Sequence, residues 1–203
     1  MARPPQTAAQ RQQMRDRILD TAVEILKEEG PDGLSTRAIA ARLDMAHMSL
    51  YTYFENHAAL LRALRDREME RWWAEQERIT RRAAGDPVLP AVEALLGQLL
   101  TFAREKPNLH RLAWSLAETG VESYAEYQVR QQRMVGQLAG LLQEGMAAGE
   151  FAPRNPVLAA GTILATVNTP FILFYSGRVP NMDVRDLLVA EVLEMVRLYL
   201  AKP

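Results

Sequence analysis

Between Leu34 and Leu61 the chain reads LSTRAIAARLDMAHMSLYTYFENHAALL, and the side chains able to make directed polar contacts crowd there: Ser35, Thr36 and Arg37, then His47, Ser49, Tyr51, Thr52, Tyr53 and His57. Hydroxyls both donate and accept, a neutral imidazole donates at one ring nitrogen and accepts at the other, and a guanidinium offers a planar fork of donors. Such a set suits recognition of anionic or acceptor-rich partners. Catalysis needs a converging nucleophile, base or metal cluster, and no such group is apparent. There is no cysteine, the three histidines His47, His57 and His110 are far apart, no glycine-rich phosphate loop occurs, and Ser115 lies in a plain helical stretch. Glu118, Glu122 and Glu126 share a helical spacing common on solvated helix surfaces. The expectation is no enzyme, no metal and no cofactor.

These side chains need elements to hold them, and the apolar spacing is helical almost throughout, so the fold is expected to be all-α with about nine helices. Ile18, Ala22, Ile25 and Leu26 line a first helix, stopped by Gly30, Pro31, Asp32 and Gly33. Ser35 is placed to cap a second helix running to about Leu43. Asp44 tolerates a left-handed turn, and a third helix over His47–Tyr53 follows. Asn56 opens a fourth, running through Leu60, Leu61 and Leu64 toward Arg82. Ala83, Ala84, Gly85, Asp86 and Pro87 then break the pattern. Five more helices are expected at Val88–Glu105, Pro107–Glu118, Glu122–Ala148, Pro156–Ser176 and Asp183–Ala201.

With 24 basic and 25 acidic side chains the net charge is −1, so bulk charge does not mark a nucleic-acid binder. Residues 1–17 carry four arginines against Asp16 alone, and read as a basic arm. The uncharged stretch Asn155–Gly177 is about long enough to cross a bilayer. Asn168, Pro170, Gly161 and its threonines suit a buried helix of a soluble protein better. No membrane partner is expected and, with polar first residues and no cysteine, the cytoplasm is the expected location.

In order and spacing, the 34–61 segment resembles the TetR family of bacterial regulators: Ser35, Ile39 and Ala40 in a capped second helix, a tight turn, Leu50, Tyr51 and Phe54 ending a recognition helix, and Leu60 and Leu61 opening the next. The resemblance implies a helix-turn-helix over 18–64 that reads operator DNA, with the fourth helix continuing to about 82 and a ligand-binding and dimerisation domain over 85–203. His47, Met48, Ser49 and Thr52 would then face base edges, Tyr51 and Tyr53 phosphates, Ser35 and Thr36 a phosphate at the second helix's start, and Arg37 a guanine. Ala46 stands where the family usually has serine, Asp44 and Met48 where it usually has glycines, and His57 where it generally has a phosphate-binding lysine.

The family's last two helices pair across a two-fold axis, which implies a homodimer on a pseudo-palindromic operator of double-stranded DNA. Leu158, Gly161, Thr162 and Ala165, with Leu188, Val192, Met195 and Tyr199, are the interface candidates. Gln98, Phe102, His110, Trp114, Met134, Leu138, Asn168, Phe171 and Phe174 are candidates for a mostly apolar small-molecule pocket. A repressor released from its operator by such a ligand is the function implied. A helical ligand-binding or scaffold protein that no longer reads DNA is the alternative.

Overall fold

Helix signals in the chain translate into a helical structure whose boundaries lie close to the caps and breakers. The computed structural model describes residues 7–79, 85–115 and 124–202. Among these there is no strand, and the elements are α1 (Ala8–Gly33), α2 (Thr36–Arg42), a 3₁₀ helix (His47–Thr52), α3 (His57–Ile79), α4 (Leu89–Glu105), α5 (Pro107–Ser115), α6 (Tyr124–Ala147), α7 (Pro156–Tyr175) and α8 (Met182–Leu200). The ends expected at Arg82 for the fourth helix and Glu118 for the sixth, and the start at Glu122 for the seventh, fall outside the described residues.

One expectation is corrected at the N-terminus. Thr7 and Gln10 form a reciprocal capping box, with Gln10 N–H donating to Thr7 Oγ1 at 3.2 Å and Thr7 N–H to Gln10 Oε1 at 2.9 Å. This starts α1 well before its first core residue, Ile18, so residues 8–17 of the basic arm are the first turns of that helix. At the other end Gly30 takes a left-handed φ of 76°, which kinks the chain into Pro31.

The chain forms two compact units, Met1–Trp72 with Lys106–Ser123, and Trp73–Glu105 with Tyr124–Pro203. The sequence-based division near residues 82–85 thus differs from the packing at two points. The boundary falls inside α3, and α5 joins the first unit because it packs on α1. Asn108 Nδ2 donates to the Leu26 carbonyl at 2.8 Å, and Arg111 lies 3.6 Å from Asp32. Nothing in the local pattern of α5 distinguishes this docking from continuation of α4, since both are amphipathic.

In the first unit Ile18, Ile25, Ile39, Leu50, Leu60 and Leu64 are fully buried, each worth about 1.5–3 kcal/mol relative to exposure. In the second, Leu96, Leu138, Leu142, Ile163, Phe171 and Leu200 are. α7 packs on both α6 and α8. It is long and apolar enough to cross a membrane, yet Ala159, Ala160, Ile163, Leu164, Val167, Asn168 and Phe171 are buried within the unit. Its threonines and asparagine bond back to carbonyls one turn earlier, Thr162 to Leu158, Thr166 to Thr162, Asn168 to Leu164 and Thr169 to Ala165, at 2.7–2.9 Å, while Tyr175 donates to the Ala103 carbonyl of α4 at 3.3 Å.

Two features tie the second unit's helices together. α6 ends in a Schellman turn, with Gly149 at φ 71°, Glu150 N–H on the Gly145 carbonyl and Gly149 N–H on that of Met146. A β-carbon on Gly145 would come within 2.2 Å of the Phe151 ring. The turn delivers the Glu150 carboxylate to α4, where it accepts from Val88 N–H at 2.8 Å and Leu89 N–H at 3.3 Å. A carboxylate there also meets the positive end of the helix dipole. Near the start of α8, buried Arg185 lies 5.2 Å from both the Phe171 and Phe174 rings and donates to Asp186, which Arg104 also reaches at 3.3 Å. Burial pushes the Asp186 carboxyl up, but hydrogen bonding and charge from Arg185 and Arg104 outweigh it and hold the group below the usual aspartate range.

Candidate nucleic-acid interface

The turn between α2 and the 3₁₀ helix sets the geometry of the site. Asp44 adopts φ 49°, Met45 N–H bonds to the Ala40 carbonyl at 3.0 Å and Asp44 N–H to that of Ala41 at 3.3 Å. This is the Schellman arrangement on a non-glycine residue, which aspartate tolerates. Buried Ile39 and Ala40 on α2 and buried Leu50 and Phe54 fix the angle between the two elements. Arg42 secures the far end of α2 to α1, reaching Glu28 at 2.6 Å and Glu29 at 2.9 Å. Its hydrogen bond holds the Glu28 carboxyl below the usual range, and Glu28 in turn raises Arg42.

The third helix is 3₁₀ rather than α. It is six residues long, and Ala46 at its start provides no side-chain cap, so the tighter and less stable winding is unsurprising. Met48 is its most exposed large residue at 71%, Thr52 is exposed, Tyr51 is 38% exposed, and His47 and Ser49 are half-buried. The His47 ring meets Tyr51 edge-on, with centroids 5.5 Å apart.

At the start of α2, Ser35 Oγ accepts from Ala38 N–H at 3.1 Å, and both Ser35 and Arg37 are exposed. Thr36 Oγ1 lies 2.8 Å from His47 Nε2, so the helix start and the 3₁₀ helix are bonded to each other. Ser35, Thr36, Arg37, Ala46, His47, Met48, Ser49, Tyr51 and Thr52 therefore share one region of the first unit. Two expected contacts are placed differently. Tyr53 is 8% exposed, with its ring in the core. His57 donates from Nε2 to the Leu34 carbonyl at 3.0 Å, so that nitrogen serves the fold.

Sequence reasoning missed the arginines of α1 as partners of this segment. Arg11 Nη2 donates to the Thr52 carbonyl at 2.8 Å, and Arg15 Nη1 donates to that of Tyr53. The Arg15 guanidinium also lies 4.3 Å from the centre of the Phe54 ring. Their i, i+4 spacing on a helical stretch was the available signal.

The candidate ligand residues divide between the units. Gln98, Phe102, Met134, Leu138, Asn168, Phe171 and Phe174 belong to the second, where Leu138 and Phe171 are fully buried. His110, fully buried, belongs to the first, and the side chain of Trp114 lies outside the described residues. The Asn168 amide donates to its own helix, so burying that donor requires no ligand. A cavity of about 130 Å³ lies elsewhere, between α4 and α8, lined by Leu89, Val92, Glu93, Leu96, Gly97, Leu193, Val196 and Arg197.

Among the dimer candidates Leu158, Thr162, Ala165 and Met195 are exposed, and Gly161, Leu188, Val192 and Tyr199 are partly so. Arg154 lies 4.0 Å from the Tyr199 ring.

Known proteins share these features. The model of bacterial regulatory proteins of the tetR family matches residues 18–64, and that of the tetracyclin repressor-like C-terminal domain matches 91–185. The "Uncharacterized HTH-type transcriptional regulator in dhlA 5'region" of Xanthobacter autotrophicus is 30% identical over 116 residues, 56% of this chain and 57% of that protein. The tetracycline repressor protein class D of Escherichia coli is 44% identical over 50 residues, 25% of this chain and 23% of its own length. Thus the chain spans little more than half the length of the first and about a quarter of the second. A TetR-family transcriptional regulator of Pectobacterium atrosepticum has the same fold over 98% of this chain and 100% of its own, with TM-score 0.75 and 22% identity. Two family models that between them match more than half of the residues, one on the helix-turn-helix and one on the helical domain after it, make this chain a member of the TetR family.

Proposed function

We propose that the protein is a transcriptional repressor that binds a pseudo-palindromic operator as a homodimer and leaves it when a small molecule binds the second unit. The observation that carries the reading is the exposed set at α2's start and along the 3₁₀ helix: Ser35 and Arg37 beside Met48, Tyr51 and Thr52. These offer donors and apolar contacts suited to phosphates and base edges. The family's members bind operators as dimers and respond to small molecules. The exposed apolar residues Leu158 on α7 and Met195 on α8 support pairing through these helices. A mostly apolar ligand suits the residues of α4, α6 and α7 named above. α3 runs from one unit into the other, and a ligand preferring the non-binding arrangement would shift it through that helix. Work on chromosomal operators implies a cytoplasmic protein.

The test is selection from a randomised duplex library. An enriched two-fold-symmetric motif whose binding weakens as salt rises is expected. A Leu158→Glu, Met195→Glu double variant is expected to sediment as a monomer and lose that motif. No enrichment at any salt would instead favour the scaffold that no longer reads DNA.

A further inference from the structure

The 3₁₀ helix that carries the candidate base-reading side chains is poorly equipped to hold its own shape. It has six residues, no side-chain cap at its start, and carbonyls at its end with no further helical turn to accept from. Its start is tied by Thr36 to His47. Its end meets two guanidiniums from α1, Arg11 on the Thr52 carbonyl at 2.8 Å and Arg15 on that of Tyr53, with Arg15 also over the Phe54 ring. Cationic donors at a helix C-terminus satisfy orphan carbonyls and complement the negative end of the dipole. Both arginines lie in the part of α1 ahead of Ile18, created by the Thr7–Gln10 capping box. That part precedes the stretch matched by the family's helix-turn-helix model, which begins at residue 18.

We propose that Arg11 and Arg15 are positioning residues: the overhang of α1 braces the end of the 3₁₀ helix and so fixes how His47, Met48, Ser49 and Thr52 meet DNA, without itself contacting phosphates. The use of the brace rests on the operator-binding reading above; the brace itself does not. A donor held in a plane that also lies over an aromatic ring is a property of a guanidinium that an ammonium lacks, so charge alone does not replace Arg15.

The experiment uses the full-length protein with Arg11→Gln, Arg15→Gln and Arg15→Lys, each checked for unchanged global unfolding. In the absence of DNA, both glutamine variants are expected to speed amide hydrogen exchange across 49–54. On the duplex selected from the library, they are expected to lower affinity by about tenfold or more and to relax base preference within the motif. The slope of log affinity against log salt is expected to stay that of the parent, and Arg15→Lys is not expected to restore affinity. A slope reduced by about one for each arginine removed, with exchange unchanged and Lys restoring binding, would make them phosphate contacts and overturn the proposal. Should no duplex be selected by the parent protein, the operator reading fails by itself, and the exchange experiment still decides the brace: unchanged exchange overturns it.

Discussion

The 3₁₀ helix and α7 are held by different means. The 3₁₀ helix has Leu50 alone fully buried among its six residues and is fixed at both ends by polar bonds to other helices. α7 buries a continuous face and bonds its threonines and the Asn168 amide back to its own carbonyls, while Tyr175 at its end donates to the Ala103 carbonyl of α4 at 3.3 Å. A segment held by a few directed bonds can be altered without unfolding the unit that carries it, and a segment held by packing cannot. If the 3₁₀ helix reads DNA as proposed, that difference separates recognition from stability.

Its sharpest test is Phe171→Ala. Phe171 is fully buried on α7 under the Arg185 guanidinium, so truncation is expected to cost about 3–5 kcal/mol, read by urea unfolding. A loss below about 1 kcal/mol would mean that the α7 core is not what holds the second unit.

On the other side of the comparison, Arg37→Ala and Tyr51→Phe should leave unfolding unchanged while weakening operator binding by about 1–3 kcal/mol for the arginine and less for the tyrosine. Binding can be measured by fluorescence anisotropy on the selected duplex. Unaltered affinity in both variants would remove these side chains from the interface.

The smallest effect concerns pH. Asp186 is held below the usual aspartate range in the folded protein, so its contribution is present above the unfolded value and lost as pH falls through the folded one. The group is partly exposed, and solvent screening limits the contribution to a few tenths of a kcal/mol. Asp186→Asn should flatten the acid side of the stability profile by that amount, and a variant with an identical profile would assign the acid loss to other carboxylates.

How much of this was legible in the sequence depends on how local each cause is. The Ser35 cap, the left-handed turn at Asp44 and the first-turn prolines of α5 and α7 act within a few residues of themselves, and the elements they imply lie where the spacing put them. The bonds that shape the reading segment span 41 residues for Arg11 to Thr52 and 23 for His57 to Leu34. A backbone carbonyl accepts from any donor that reaches it, so no residue type at position 34 or 52 announces such a partner. Periodicity likewise marks α5 as amphipathic but does not name α1 as the surface it covers. Tyr53 illustrates the same limit, since an aromatic beside an exposed one carries no local sign of which ring turns inward.

The contact between Glu150 and α4 bears on any attempt to divide the chain. The amides of Val88 and Leu89 are satisfied by a carboxylate about sixty residues downstream. A fragment that ends before the Gly149 turn keeps every residue of α4 yet lacks the acceptor for its first amides. Truncation at the end of α6 therefore damages a helix that the cut never touches, in addition to removing α7 and α8 from the second unit.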